Sequence, residues 1–350
     1  MEKNKHKVML GGFSIPNVTT PSFANKKLWG KDYYSYGADD KYPQFLWDMY
    51  CNCPTHQSII DGKVNYCLGG GIDFPEGAQL NNEADTIEDI MERVILDFVV
   101  YGGFSLQIIY NRAGKISEIY YIDFANIRTN DKYSKFYYIR EGEEPIEYEA
   151  YNPTARNKTS QIYYVSNRTT RSIYPIPEYT AASNSILTEQ EIQNFHLNSI
   201  RNGFSVGAII NFNNGQPSDE EKEEIENGLK KKYTGSNNAN KFITVYNDSA
   251  DQAATVTNLN GNDFDCRYNA LAKSVQREIF VAHRVTSPTL FGIIPENTGF
   301  SKNEYQEAFE IFQLTVVNPM RRFIERAMNR VLPEPMKFKQ LYLPTSENTL

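Results

Sequence analysis

The chain has 350 residues, enough for two compact units or one elongated multi-part subunit. Hydrophobic residues make up 40% and charged residues 23%, which excludes wholesale disorder. A net charge of −7, from 36 basic and 43 acidic side chains, excludes a tight clamp on a polyanion, whose affinity would come from neutralised phosphates.

The 24 Tyr and 20 Phe suit either a wet, extensive contact surface or a Tyr-rich β core, because tyrosine joins an apolar ring to a polar tip. No apolar run reaches the ~18 residues of a membrane-spanning helix, and none of signal-peptide length follows the basic residues 1–7. Four cysteines (Cys51, Cys53, Cys67, Cys266) make no disulfide framework, and reduced thiols fit a chain made in a cytoplasm.

Residues 1–40, rich in Gly, Asn, Ser, Thr and Pro, predict an extended arm ordered only by neighbours. Two helices follow, one opening near Pro43 with Phe45, Leu46 and Met49 on a face, the next opening at Pro54 with Ile59, Ile60, Val64 and Cys67. Gly69, Gly70 and Gly71 stop it. Over 85–101, Ile87, Ile90, Met91, Val94, Ile95 and Phe98 form a single stripe, and Gly102 and Gly103 end that helix. A hairpin over 104–110 and 116–122 turns at residues 111–114, and short strands continue to about residue 175.

The pattern over 183–202 is helical, but its apolar positions are spread around the axis. A β segment at 206–212 leads into the turn Asn213-Asn214-Gly215. Ser218 and Glu221 form a capping box for a helix whose stripe, Ile225, Leu229 and Tyr233, is thin; such a helix is solvated or packs against copies of itself. Strands at 242–246 and 254–259 precede a helix over 263–285 with Phe264, Tyr268, Leu271, Val275 and Ile279 on one side. A loop at 286–300 leads to a second capping box, Ser301 and Glu304, and a helix to about 332 that carries Phe309, Ile311 and Phe312 and is kinked at Pro319. The tail from Pro333 is short and irregular.

Chemistry is sparse. No Gly-rich loop ends in Lys-Ser or Lys-Thr, so no P-loop is present. Cys51, Cys53 and His56 lack a second ligand pair for zinc. His196 and His283 have no nucleophile or carboxylate at a telling spacing and read as structural histidines. Asp61, Asp97 and Asp123 are scattered, with no metal or paired-carboxylate motif. No cofactor is expected. The Lys230-Lys231-Lys232 run fits a helix C-terminus.

The order of elements resembles the compact class of tailed-phage portal proteins. Four stretches carry the likeness: Lys41-Tyr42-Pro43-Gln44-Phe45-Leu46 through Gly70; Tyr101-Gly102-Gly103-Phe104 through Ile122; Ile192 through Gly215 and Tyr233 to Val245; and Glu278 through Val285, Pro288 and Gly292 into Ser301 and the helix with Pro319. The tail is too short for the crown of larger portals.

The resemblance implies an α+β portal fold. Residues 1–40 would be the arm, 41–182 the first part of a wing, 183–203 and 218–234 the two stem helices, 204–217 a β clip, 235–332 the second part of the wing, and 333–350 the tail. Stem packing falls to Phe195, Ile200, Ile225 and Leu229, and the clip strand to Val206, Ile209, Ile210 and Phe212. A tunnel loop at about 286–300 would tuck its apolar residues under the wing and bring Glu296, Asn297 and Thr298 toward DNA, with Lys302 beside them. The partners implied are about eleven further copies in a closed ring, the terminase large subunit, a head–tail adaptor, the major capsid protein and double-stranded DNA in transit, with no membrane. Localisation would be the virion, after assembly in the host cytoplasm. A ring of about twelve would carry a net charge on the order of −84, which lets DNA slide. The alternatives are another ring-forming connector, although adaptors are shorter, and a nucleic-acid-processing enzyme, which would need a carboxylate cluster or nucleophile–base pair.

Overall fold

The computed structural model describes residues 24–154, 159–167, 172–201, 209–212, 218, 220, 243–246, 262–293 and 302–342. It divides into two compact units, one of residues 1–48, 60–178 and 313–350, the other of 49–59 and 179–312.

The first unit is built on a six-stranded sheet in the order β3-β2-β7-β6-β5-β4. Its strands are β2 (Gly103–Tyr110), β3 (Ile116–Ile122), β4 (Ile127–Thr129), β5 (Lys135–Tyr138), β6 (Ile146–Ala150) and β7 (Ser160–Ser166). All pair antiparallel except β6 with β7. Ile122, Ile127, Phe136 and Ile162 form an apolar core on it. The stripe predicted at 85–101 is helix α3 (Ile87–Tyr101), with Ile87, Ile90, Met91, Val94 and Ile95 buried. Its start is set by a capping box missed in the sequence: the Asp89 N–H donates to the Thr86 hydroxyl, and the Thr86 N–H to the Asp89 carboxylate.

The Gly102-Gly103 pair does two jobs. Gly102 ends α3 at φ 83°, in the left-handed region, with its N–H bonded to the Phe98 carbonyl. At Gly103 a Cβ would stand 2.7 Å from both Phe124 Cζ and the Val165 oxygen, so only glycine lets β2 start this close to β7.

Residues 24–40 differ from the expected arm. Tyr33 and Tyr36 are buried, Tyr36 stacks on Tyr174 at 4.3 Å, and Asp40 pairs with the buried Arg128. These partners are over 80 positions away, so local composition carries no trace of them. Residues 1–23 lie outside the described residues. Tyr42 and Tyr174 are buried against Tyr36, so these tyrosines serve the core.

The C-terminal part also departs from expectation. α6 (Lys302–Phe312) passes into a π-helical turn, Gln313–Val317, before α7 (Asn318–Met328). The irregularity predicted at Pro319 falls just upstream of it, because the ring cannot share a regular turn with the carbonyl four residues back and the wider π turn takes up the misfit. The tail is not wholly irregular: β10 (Lys337–Phe338) pairs with β1 (Ile72–Asp73), and the Phe338 N–H donates to the Glu325 carboxylate at 2.9 Å.

In the second unit, α4 (Ser183–Arg201) packs on α5 (Asn262–Ala282). Ile186 and Ile192 are buried in α4, and Val275 and Ile279 in α5. Leu271 and Ile311, expected on buried stripes, are 44% and 52% exposed. Strands β8 (Ile209–Phe212) and β9 (Ile243–Tyr246) pair in parallel.

Candidate functional site

The best-built site in the second unit is the root of the loop that follows α5. Helix α2 (Pro54–Leu68) brings His56 in its first turn, and α5 delivers His283 one residue past its end. His56 Nδ1 and His283 Nε2 are 2.8 Å apart and both rings are fully buried. Tyr179 meets both, at 4.4 Å edge-on to His56 and 5.2 Å stacked on His283. A nitrogen pair at this distance needs one donor and one acceptor, so the two rings hold complementary tautomers.

Around this pair the polar groups are tied to one another. Glu189 accepts from Thr55 Oγ1 at 2.8 Å and from Cys53 Sγ at 3.3 Å. Ser185 donates to Glu278 at 2.6 Å. Burial, with the Glu189 charge second, pushes the Cys53 thiol up to about 12, so it is an inert thiol rather than a nucleophile. Cys51 is exposed while Cys53 is buried, so the two do not converge with His56 on a metal. Among the described residues no group of three His, Cys, Asp or Glu is placed to hold one.

The chain then leaves this anchor along a fixed path. Arg284 takes a left-handed turn at φ 57°. Pro288 opens the 3-10 turn Pro288–Phe291, and Gly292 closes it at φ 77°. Leu290 and Phe291 are buried. Phe291 meets Phe312 edge-on at 5.4 Å, and its carbonyl accepts from Ser58 Oγ. Thr286 Oγ1 donates to the Ala308 carbonyl at 2.7 Å. The first half of the expected tunnel loop is thus a clamped segment. The arrangement holds a loop; it has no nucleophile–base pair.

Of the residues singled out for the channel, Glu296, Asn297 and Thr298 lie outside the described residues, and Lys302 is the first residue of α6. Of the expected stem residues, Phe195 is 46% exposed on α4, where 193–197 are all exposed; Ile200 belongs to the same helix. Ile225 and Leu229 lie outside the described residues, as does Val206. Ile209, Ile210 and Phe212 stand in β8, and their partner edge is β9 of the same chain.

A carboxylate pair escaped the sequence reading. Asp97, on α3, is buried and accepts from the Tyr121 hydroxyl at 2.9 Å and the Phe124 N–H at 3.3 Å. Burial first, and then the neighbouring Asp123, raises the Asp97 carboxyl well above the usual range. Both line a cavity of about 320 Å³ in the first unit, with Trp47 and Arg93. A polar residue inside an otherwise apolar stripe was the available signal.

Comparison with known proteins gives a consistent answer. Residues 78–347 match the family model described as phage portal protein. The probable portal protein of Escherichia phage P2 is 24% identical over 260 residues, covering 73% of this chain and 71% of that protein. The fold is similar to a chain in the neck of a native gene transfer agent particle computed with C12 symmetry, at TM-score 0.53 and 14% identity, covering 84% of this chain and 82% of that one. It is also similar to an HK97-family phage portal protein from Corynebacterium diphtheriae, at TM-score 0.50 and 14% identity, with 84% and 94% covered.

Proposed function

The chain belongs to the phage portal protein family, and from that premise we propose that it forms a closed ring of about twelve copies at one capsid vertex, through which double-stranded DNA is packaged and ejected. The observation that carries this reading is the family match over most of the chain. The twelvefold neck that shares the fold supports the ring number.

In this reading the ring is a virion component and a conduit, and the family is structural rather than catalytic. Residues 183–203 and 218–234 are stem helices, 204–217 the clip, and 286–300 the tunnel loop. The exposed run 193–197 of α4 supports the stem assignment, since an exposed Phe195 and Leu197 suit packing against the next copy. The buried anchor at His56, His283 and Phe291 supports a loop that approaches passing DNA without fraying. The terminase large subunit, head–tail adaptor and major capsid protein are the proposed partners.

The test is genetic. Heads assembled without this chain are expected to hold no packaged DNA. Heads that fill normally without it would contradict the reading.

A further inference from the structure

A basic ridge runs along α7 of this acidic chain. Arg322 and Arg326 stand one turn apart on α7, and Arg330 follows in the turn that ends it; all three are exposed. None takes part in an ion pair among the described residues. The ridge borders an aromatic groove in the first unit. One cavity of about 490 Å³ is lined by Tyr133, Phe136, Tyr151, Pro153, Tyr163 and Arg330. A second, of about 360 Å³, shares Tyr163 and Arg330 and adds Arg326.

The complementary feature lies on the same hairpin. The turn between β5 and β6 exposes Glu141, Glu143 and Glu144, and Ile146 behind them is 40% exposed. Gly142, at φ 78°, makes the turn tight. Glu143 has one ion-pair contact, with the exposed Arg140 at 3.6 Å. In the register of this hairpin Ile146 faces Tyr138 and Glu149 faces Lys135. The acidic turn is therefore at one end, and the groove runs from Phe136, midway along the hairpin, to Tyr133, Ala150 and Tyr151 at the other. Four residues of strand put roughly 13 Å between the two ends. The turn cannot bend back into its own groove.

We infer that in the ring the acidic turn 141–146 of one copy docks in the Tyr- and Arg-lined groove of the next, with Ile146 entering the cavity and the glutamates facing Arg326 and Arg330. This rests on the ring reading and names the surfaces that would build it. Two different patches at opposite ends of one hairpin make a head-to-tail contact, the kind that closes into a ring, whereas groove against groove would set arginine against arginine. An apolar anchor in an aromatic pocket supplies affinity, and the rim charges supply register.

The test is a charge swap in the full chain, read by native mass spectrometry, with circular dichroism to check folding. R326E/R330E alters only exposed side chains, as does E141K/E143K/E144K. Each set alone is expected to lower the ring population about tenfold or more at equal concentration, and the five changes together to restore it. Unchanged rings in both single-set variants, or a folded five-fold variant that stays unassembled, would overturn the inference and leave the ring reading standing. Unchanged rings with lost binding of single-stranded DNA by R326E/R330E would overturn it in favour of nucleic acid on the ridge. A wild-type chain that never forms rings, even when co-expressed with capsid protein, would remove the ring reading itself and this inference with it.

Discussion

His56 Nδ1 and His283 Nε2 face each other at 2.8 Å across 227 positions of sequence, and their contact ties the first turn of α2 to the root of the segment that follows α5. Replacing His283 with Leu is expected to cost about 1–3 kcal/mol, because the His56 nitrogen loses the group it faces in a dry site. The double variant H56L/H283L should cost less than the sum of the two single changes. Chemical denaturation of the four proteins measures the coupling, and strict additivity would show that the contact is energetically idle.

Asp97 offers a pH test. Burial raises its carboxyl, so the folded chain holds a proton that the unfolded chain releases. Its contribution is fully present below the unfolded carboxyl range, near pH 4, and is lost as pH rises through the higher folded value. Asp97→Asn should therefore raise stability at neutral pH by on the order of 1 kcal/mol and give no gain in acid. Thermal melts across pH decide it; a gain that is the same in acid would contradict the cause assigned.

Gly103→Ala should destabilise the first unit by about 1–3 kcal/mol, since the added methyl meets backbone at Val165 and the Phe124 ring. Gly77, where a Cβ meets nothing within 4 Å, is the control for a left-handed glycine without crowding. Its alanine variant should show the backbone cost alone, about 1 kcal/mol. Gly103 is outside the left-handed region and has no such backbone cost, so a loss there of under about 0.5 kcal/mol, by denaturant titration, would rule out close packing as the cause.

Much of the fold was legible because local pattern carries it. The stripe of α3 repeats with the helical period, and the hairpin of β2 and β3 turns where Asn111 and Gly114 stand. What stayed hidden was long-range. Tyr36 and Asp40 read as part of a polar arm because Tyr174 and Arg128, which hold them, are far away in sequence. His56 read only as a member of an incomplete zinc trio with Cys51 and Cys53, and His283 as a structural histidine, because nothing local links the two. Asp97 and Asp123 looked scattered because one sits in the α3 stripe and the other caps a 3-10 turn. The π turn at Gln313–Val317 was visible only as a proline, whose ring marks where regular helix fails but not which side gives way.

At the proposed clip, replacing Ile209 and Ile210 with Asp is expected to leave the subunit folded and to impair ring assembly or docking, because β8 pairs with β9 along one edge and its other edge is unpaired among the described residues. Circular dichroism and electron microscopy separate the two effects. Normal rings that package normally would end the assignment.

In the proposed tunnel loop, Glu296→Lys should increase retention of DNA in filled heads through an added phosphate contact, with ring formation unchanged. Retention that does not respond, or responds equally to a lysine on the outer wing, would remove residue 296 from the channel.

Whether this chain is a ring subunit is read most directly by electron microscopy of the particle that it forms, alone and with capsid protein. Closed rings of about twelve copies are expected, with an axial hole wide enough for duplex DNA, roughly 20 Å or more. Monomers under both conditions, or a closed particle with no axial opening, would contradict the ring reading.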